Sequence, residues 1–336
     1  MRIFKKLFPF LVLVIGLNTL LDLCFNSASY IRIALHELQS SEEDFEVVFV
    51  GQSHGANAFN PYIIEEKTGM SAYNLSNKLT AVRDISYLVK ESNYKNDVDY
   101  VIYDIDSSYW LGFEEPNYFA EGYVFPHLNN PINKLDYFLN YSIKENFRYS
   151  LCRYVVYGTG DIKNIPENLK KRLSAGYLNY EMDSVLTEHE KTEYKGQGFF
   201  YVNAPVDVGF TPTEWRDDKV KEGVLQGFLD MVDYCKKNDI ELICVSSPMP
   251  IERVEAENYP EFHEYFTKLA EEQDIVFWDF NYIKEEHLSW NSEEFRDLDG
   301  HMLGVLADKY SSLLGEMLGQ YRISENLDYY FENDNE

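Results

Sequence analysis

The chain has 336 residues, with 30 Lys+Arg against 57 Asp+Glu and a formal net charge of −27 at pH 7. An acidic surface repels the phosphate backbone, so this balance excludes nucleic-acid binding. Hydrophobic residues make up 45% and charged residues 26%, which excludes a disordered chain and a polytopic membrane protein.

The first 29 residues differ in composition from the rest of the chain. Arg2, Lys5 and Lys6 precede a largely apolar run at 7–25, and the small residues at 27–29 form only a weak cleavage site. A basic start followed by an apolar run is typical of an export signal, and the positive-inside rule places the following chain outside the cytoplasm. The pattern favours an uncleaved signal anchor over a cleaved signal peptide. It predicts an extracytoplasmic protein that this segment anchors to the membrane.

After an acidic connector, short apolar runs alternate with amphipathic segments. Continuous apolar runs are typical of buried parallel strands, and apolar residues at helical spacing indicate helices between them. Strands are expected at 47–50, 71–75, 100–105, 241–245 and 275–280, and helices at 80–91, 218–237, 260–272 and 303–321. This order predicts an α/β fold, a doubly wound three-layer α/β/α sandwich with a parallel five-stranded sheet of the flavodoxin-like type.

One long stretch interrupts this alternation. Residues 107–215 are rich in aromatic and loop-forming residues, which predicts a large insertion within a domain at 45–320. We expect the insertion to cap the carboxyl edge of the sheet, where ligands bind in open α/β folds. Residues 321–336 form an acidic tail.

Two candidate site residues follow the first two strands. Ser53 lies in Gly51-Gln52-Ser53-His54, directly after the first strand. A serine on a tight turn there would expose its hydroxyl at the mouth of the sheet, as nucleophilic acyl chemistry requires, although a helix N-cap serine fits the same position. Asn74 ends the second strand, and its amide could donate to an oxyanion beside the Ser53 amide or could close a turn.

His301 is the candidate base. It follows Asp297 and Asp299 just before the last expected helix, and a nearby carboxylate can hold an imidazole in the tautomer that accepts a serine proton. His54 competes for this role because it adjoins the serine, although neighbouring side chains often diverge.

These blocks together resemble the SGNH hydrolase superfamily. They are most similar to its membrane-anchored members in bacterial cell envelopes, the group of the D-alanyl-lipoteichoic-acid transfer protein and the alginate O-acetyltransferase-like proteins. The resemblance covers about residues 45–105 and 218–320 and rests on the strand and turn at 47–54, Asn60-Pro61, Tyr73-Asn74-Leu75, Ser246-Ser247-Pro248 and the block that contains His301.

The resemblance implies Ser53 as the nucleophile, His301 as the general base, and an oxyanion hole from the Ser53 amide and Asn74. It also implies an aspartate that orients His301. The family usually places this aspartate three residues before the histidine, where this chain has Leu298. Asp297 and Asp299 flank that position, and both remain candidates.

The expected activity is that of a serine-dependent O-acyltransferase or esterase acting on a cell-envelope or extracellular glycan. Its partners would be an acyl donor, a glycan acceptor and a membrane acyltransferase, and it would need no metal or other cofactor. The first alternative is a non-catalytic glycan-binding or assembly protein of the same fold. Its candidate sugar-stacking residues are Tyr109, Trp110, Tyr118 and Tyr123.

A further alternative comes from the third strand, which ends in Asp104 and is followed by Asp106. This Asp-x-Asp spacing resembles the start of the haloacid-dehalogenase phosphatases, in which the first aspartate is phosphorylated and the second acts as an acid. The four cysteines show no spacing typical of a zinc site.

Overall fold

The computed structural model describes residues 2–78, 80–111, 124–144, 147, 162–186, 191–206, 210–324 and 326–331. The chain divides into two compact units. One comprises Met1–Ile33 with Pro116–Leu186, and the other comprises Ala34–Glu115 with Thr187–Glu336. The stretch expected to be a single insertion therefore contributes to both units.

The secondary-structure elements are numbered in chain order. The strands are β1 (Val47–Val50), β2 (Ala72–Asn74), β3 (Tyr100–Asp104), β4 (Thr192–Gly196), β5 (Phe199–Val202), β6 (Glu241–Ser246) and β7 (Val276–Asp279). The helices are α1 (Arg2–Phe25), α2 (Tyr30–Ser40), α3 (Ser53–Ala58), α4 (Pro61–Thr68), α5 (Val82–Ser92), α6 (Ser107–Leu111), α7 (Pro131–Tyr137), α8 (Ile165–Arg172), α9 (Ala175–Leu178), α10 (Glu222–Lys237), α11 (Ile251–Ala256), α12 (Tyr259–Gln273) and α13 (Gly304–Arg322).

In the first unit, the long helix α1 carries the apolar N-terminal run. Its stretch Leu7–Phe25 has a mean hydropathy of 2.1, is not buried in the protein, and is long and apolar enough to cross a membrane. The carboxyl end of α1 is fixed by α8, where Arg172 Nη2 lies 2.8 Å from Asp22 Oδ2 and Asn168 donates to the carbonyl of Cys24. The single carboxylate of the apolar helix is thereby neutralised.

The second unit is built on a five-stranded sheet in the order β2-β1-β3-β6-β7. All four strand pairs are parallel, and β1, whose four side chains are all buried, lies between β2 and β3. This is the flavodoxin-like strand order of a doubly wound sheet, in which ligands bind beyond the carboxyl ends of the strands where the order reverses. Here the reversal falls between β1 and β3.

Helices cover the sheet because their apolar stripes and the buried strands remove each other from water. The packed helix pairs are α5 with α10 and α4 with α13. A cluster of buried side chains links α4, the strands and α13, and includes Ile64, Phe49, Trp278 and Leu314. The expected α/β fold with a parallel five-stranded sheet is confirmed.

A hairpin of β4 and β5 adds a structure that the sequence pattern did not indicate. Its turn reaches the end of β2, where the amide of Asn74 donates to the carbonyl of Gln197 over 2.8 Å. Gly198 has φ +79°, and a Cβ there would lie 1.7 Å from the carbonyl oxygen of Asn74. Only glycine therefore fits this contact.

Residues 326–331 pack against the second unit. Leu327 and Tyr330 are buried, and Phe331 pairs with Ile283 in an isolated antiparallel bridge. Part of the acidic tail therefore belongs to the folded core.

Candidate active site

The candidate nucleophile lies on a tight turn between β1 and α3. Gly51 leaves the strand beside Asp104, and a Cβ at Gly51 would lie 2.9 Å from the Cβ of Asp104. This close approach requires glycine and directs the chain over the end of the sheet. Ser53 is the first residue of α3. Its backbone N–H lies in the first turn of a helix, where amides have no partner within the helix.

The candidate base reaches the serine from a loop that closes on itself. The amide of Arg296 donates to the carbonyl of His301 over 2.7 Å, and Gly300 allows the turn with φ +102°. His301 Nε2 lies 2.9 Å from Ser53 Oγ, and His301 Nδ1 lies 2.8 Å from Asp297 Oδ1. The serine hydroxyl, the imidazole and the carboxylate therefore form one continuous hydrogen-bonded chain.

Asp297 and Asp299 have different surroundings. Asp297 contacts His301 through both carboxylate oxygens and also accepts from the backbone amide of His301. Asp299 is exposed, and its backbone carbonyl accepts a hydrogen bond from Arg253. The geometry thus brings Asp297, and not the Asp299 carboxylate, to the imidazole.

The charges in the Ser53–His301–Asp297 hydrogen-bonded chain suit a base that is neutral near pH 7. Burial lowers the pKa of His301 below its ordinary value of 6.5, and nearby His54 lowers it further, while Asp297 opposes both effects. Burial raises the pKa of Asp297, but the hydrogen bond and charge of His301 outweigh burial and bring it below 3.8. Asp297 is therefore ionised, and His301 can accept a proton.

Asn74 is fully buried and fixes the nucleophile turn. Its Nδ2 donates to the carbonyls of Gly55 at 2.8 Å and Phe59 at 3.0 Å, and its Oδ1 accepts from the amide of Ser76. Because a side-chain amide has two hydrogens, none is left for an oxyanion in this arrangement. Of the two oxyanion donors expected, Asn74 is thus engaged elsewhere, whereas the Ser53 amide lies in the first turn of α3.

A second buried network adjoins this chain. His54 Nδ1 lies 2.5 Å from Asp106 Oδ2, and Arg253 Nη2 lies 3.1 Å from the same carboxylate oxygen. Glu257 completes the network 3.2 Å from Arg253 Nε and also accepts from the hydroxyl of Ser107. The sequence signal for this pair is that Arg253 and Glu257 are four residues apart, shortly after the Ser-Ser-Pro strand end.

Asp104 takes part in a separate interaction. It accepts from the hydroxyl of Ser247 over 2.7 Å, at the adjacent strand end. Burial raises the pKa of Asp104 to about 6, against the effect of the Ser247 hydrogen bond. Asp104 and Asp106 are thus both buried and already engaged by neighbouring side chains.

The other residues singled out from the sequence have these positions. Trp110 is fully buried, with its ring edge-on to Phe228 and Phe266, and Tyr109 is 7% exposed. Tyr118, Tyr123 and Cys152 lie outside the described residues. Cys24, Cys235 and Cys244 are free thiols. Within the described part of the chain, no group of three His, Cys, Asp or Glu side chains is arranged to hold a metal ion.

This arrangement of atoms can perform acyl chemistry. A hydroxyl in contact with an imidazole that is itself held by a carboxylate is the constellation that activates a serine. The sequence matches no protein-family model, and no curated protein is significantly similar to it. The chemical argument therefore rests on the geometry of the site.

Proposed function

We propose that the protein is a serine-dependent O-acyltransferase or esterase that acts on a cell-envelope or extracellular glycan, and that it is an SGNH-type hydrolase. The observation that carries this proposal is the Ser53–His301–Asp297 hydrogen-bonded chain. Its place beyond the carboxyl ends of β1 and β3 supports the proposal, because ligands of doubly wound sheets bind there.

The reaction follows from the roles of the three side chains. Ser53 Oγ attacks the carbonyl carbon of the acyl donor while its proton passes to His301 Nε2. Asp297 stabilises the imidazolium, and the Ser53 amide donates to the oxyanion. The bond from the acyl carbon to the leaving oxygen breaks, and that oxygen takes the proton from His301.

The acyl group then leaves Ser53 by the same steps in reverse. A sugar hydroxyl, or water in an esterase, gives its proton to His301 and attacks the acyl carbonyl, and Ser53 Oγ leaves with that proton. The same base therefore serves both half-reactions.

The cellular setting in this proposal comes from the N-terminal helix. α1 is apolar enough to serve as an anchor or a signal, and Arg2, Lys5 and Lys6 precede its apolar run. By the positive-inside rule, the catalytic unit lies outside the cytoplasm, next to envelope polymers. The strongly acidic chain favours a glycan that is neutral or screened by cations over a bare anionic polymer.

The engagement of Asp104 and Asp106 favours this proposal over a phosphatase. A phosphorylated aspartate must reach the substrate phosphorus, whereas Asp104 is 2% exposed and bonded to Ser247, and Asp106 is bound by His54 and Arg253.

The test uses the full chain in detergent and a fluorophosphonate, which reacts covalently with an activated serine hydroxyl. We expect labelling at Ser53, located by mass spectrometry of the digested protein. Labelling should disappear in Ser53→Ala and fall at least a hundredfold in His301→Ala, because the hydroxyl then has no base.

The matched control is Ser247→Ala, which removes another buried serine hydroxyl at a strand end but should leave labelling unchanged. Folding of each variant is checked by thermal melting. Absence of Ser53 labelling in the folded wild-type protein would overturn the proposal and favour a non-catalytic glycan-binding role.

A further inference from the structure

Two imidazole rings lie side by side at the candidate active site. The ring centroids of His54 and His301 are 4.5 Å apart, with an angle of 43° between the ring planes. Each ring donates from its Nδ1–H to a different carboxylate, since His301 pairs with Asp297 and His54 with Asp106. Of the two rings, that of His301 is the one with a hydrogen bond to the Ser53 hydroxyl in the described part of the chain. The role of the second ring is therefore open.

Both ring nitrogens of His54 have a charged neighbour. Asp106 binds Nδ1 at 2.5 Å, and Arg253 Nη1 lies 3.5 Å from Nε2 on the other side of the ring. Arg253 itself is 1% exposed and also donates to the carbonyl of Asp299, within the loop that carries His301. Because Arg253 also binds Asp106, one guanidinium links the carboxylate that holds His54 to the loop of the base.

The charges around His54 differ from those around His301. His54 is faced by Asp106 and Asp104 from the end of β3, by Arg253 from α11, and by His301 from its loop. Burial lowers the pKa of His54, and Arg253 also lowers it, but the charge and hydrogen bond of Asp106 outweigh both and bring it above 6.5. The neighbouring His301 has its pKa shifted in the opposite direction.

Two imidazole rings this close repel each other when both are positively charged. When the surroundings shift the pKa values of two neighbouring titratable groups in opposite directions, the two groups differ in protonation between those values and can have different acid–base roles. Here the carboxylate of Asp106 and the contact between the rings favour a proton on His54 and a free Nε2 on His301.

We propose that His54 is a positioning residue for His301: its ring, held by Asp106, packs against the His301 imidazole and carries the positive charge while only one ring is charged, so that His301 stays neutral until it accepts the proton of Ser53 and Asp297 stabilises the imidazolium that then forms. This inference rests on the proposed acyl chemistry for its catalytic consequence. The geometry of the two rings is independent of the substrate.

The experiment compares wild type with His54→Asn and His54→Phe as full chains in detergent. The rate of fluorophosphonate labelling at Ser53 is measured from pH 5 to 9. Asn retains a donor for Asp106 but removes the ring and its charge, whereas Phe retains a ring but removes the charge. We expect the acidic limb of the rate profile to move to higher pH in both variants, because the positive neighbour that opposes protonation of His301 is gone.

The plateau of the labelling rate at high pH measures separately how well His54 orients His301 towards Ser53. His54→Asn should label about tenfold or more slowly than wild type at the plateau, since a displaced base loses its alignment with the hydroxyl. His54→Phe, which retains the packed ring, should lose less. A purely structural role would lower the melting temperature or the plateau and leave the position of the limb unchanged.

His263→Asn is the matched control. His263 Nδ1 lies 2.7 Å from Asp279 Oδ2, which gives a partly buried His–Asp pair at the end of β7. This variant should retain both the limb and the plateau of the wild type.

A second measurement separates this inference from the proposed function. The ring signals of His301 are followed by NMR as a function of pH in histidine-labelled protein, with His301→Gln as the assignment variant. We expect the pKa of His301 to rise in both His54 variants whether or not Ser53 is labelled. An unlabelled wild type with this shift would overturn the proposed function alone. A labelled wild type whose limb and His301 titration do not change in either variant would overturn the role of His54.

Discussion

At the scale of single residues, the site depends on which carboxylate reaches His301. Asp297 contacts Nδ1 with both oxygens, whereas Asp299 is exposed and uses its backbone carbonyl. Asp297→Asn should lower the labelling or turnover rate about 10³- to 10⁴-fold, because an amide no longer stabilises the imidazolium and favours the wrong tautomer. Asp299→Asn should change the rate less than threefold. Both rates are measured at the same pH, and equal losses in the two variants would refute the assignment.

Asp104 makes stability depend on pH. Its folded pKa of about 6 lies above the ordinary value of 3.8, so its contribution to stability is fully present below pH 3.8 and is lost as pH rises through 6. Ionised Asp104 thus costs the fold on the order of 2–3 kcal/mol at pH 8. Asp104→Asn should therefore raise the melting temperature relative to wild type at pH 8, and this advantage should shrink towards pH 4.

The control for this prediction is Asp308→Asn, which replaces a partly buried carboxylate bonded to the Asn60 side chain. Its melting difference from wild type is measured at the same two pH values and shows what the loss of a partly buried carboxylate does by itself. The same small difference at pH 4 and pH 8 in Asp104→Asn would contradict the argument.

At the scale of elements, the five strands of the parallel sheet and the helices α5, α10, α12 and α13 could be predicted because each repeats one pattern along its length. The run of four valine and phenylalanine side chains in β1 is apolar throughout, and α10 repeats its apolar stripe over four turns. The short helices α3, α4 and α11 escaped prediction because six to eight residues show too little periodicity. The sequence pattern did not predict the hairpin of β4 and β5 because contact with β2 determines its turn.

The contact between α5 and α10 depends on a glycine. A Cβ at Gly227 would lie 2.8 Å from the Cα of Arg83 and 2.9 Å from its amide nitrogen, so the backbones of the two helices approach directly. Alanine normally stabilises a helix by about 1 kcal/mol relative to glycine. Gly227→Ala should instead destabilise the protein by about 1–3 kcal/mol in chemical denaturation, because the helices must separate.

Gln226→Ala is the control on the exposed side of the same helix. It removes only a surface hydrogen bond to Asp230. Its stability should stay within about 0.5 kcal/mol of wild type. A stabilised Gly227→Ala variant would show that the two helices can relax apart without cost.

At the scale of the whole molecule, the candidate site residues could be proposed individually from the sequence, whereas the buried network around them could not. Ser53 and His301 carry local signals, namely a turn after a strand and an aspartate before a histidine. Arg253, Asp106 and His54 come from three separate elements, and only the folded chain brings them together. The choice between Asp297 and Asp299 likewise required the loop geometry, since both lie within four residues of the histidine.

The N-terminal helix predicts membrane association of the whole protein. With a mean hydropathy of 2.1 over Leu7–Phe25, the full chain should pellet with membranes after alkaline carbonate treatment and dissolve only in detergent. Each central Arg opposes insertion by about 2.5–3.5 kcal/mol, so the double variant Leu13→Arg, Leu17→Arg should shift protein to the soluble fraction. The double Ala variant at the same positions is the control and should remain in the pellet. Release of wild type by carbonate would contradict the prediction.

The distance along the chain between Ser53 and His301 has a consequence for biogenesis if they act as proposed. Ser53 and His301 are 248 residues apart, and their contact also requires the parallel sheet that sets the turn and the loop. Such non-local contacts form late in folding. A chain that emerges with its N-terminus first therefore exposes its serine for most of its synthesis without a base to activate it. Under the proposed function, the hydroxyl would become reactive only when the domain closes, so folding itself would time the acyl transfer and an incomplete chain would have no such activity.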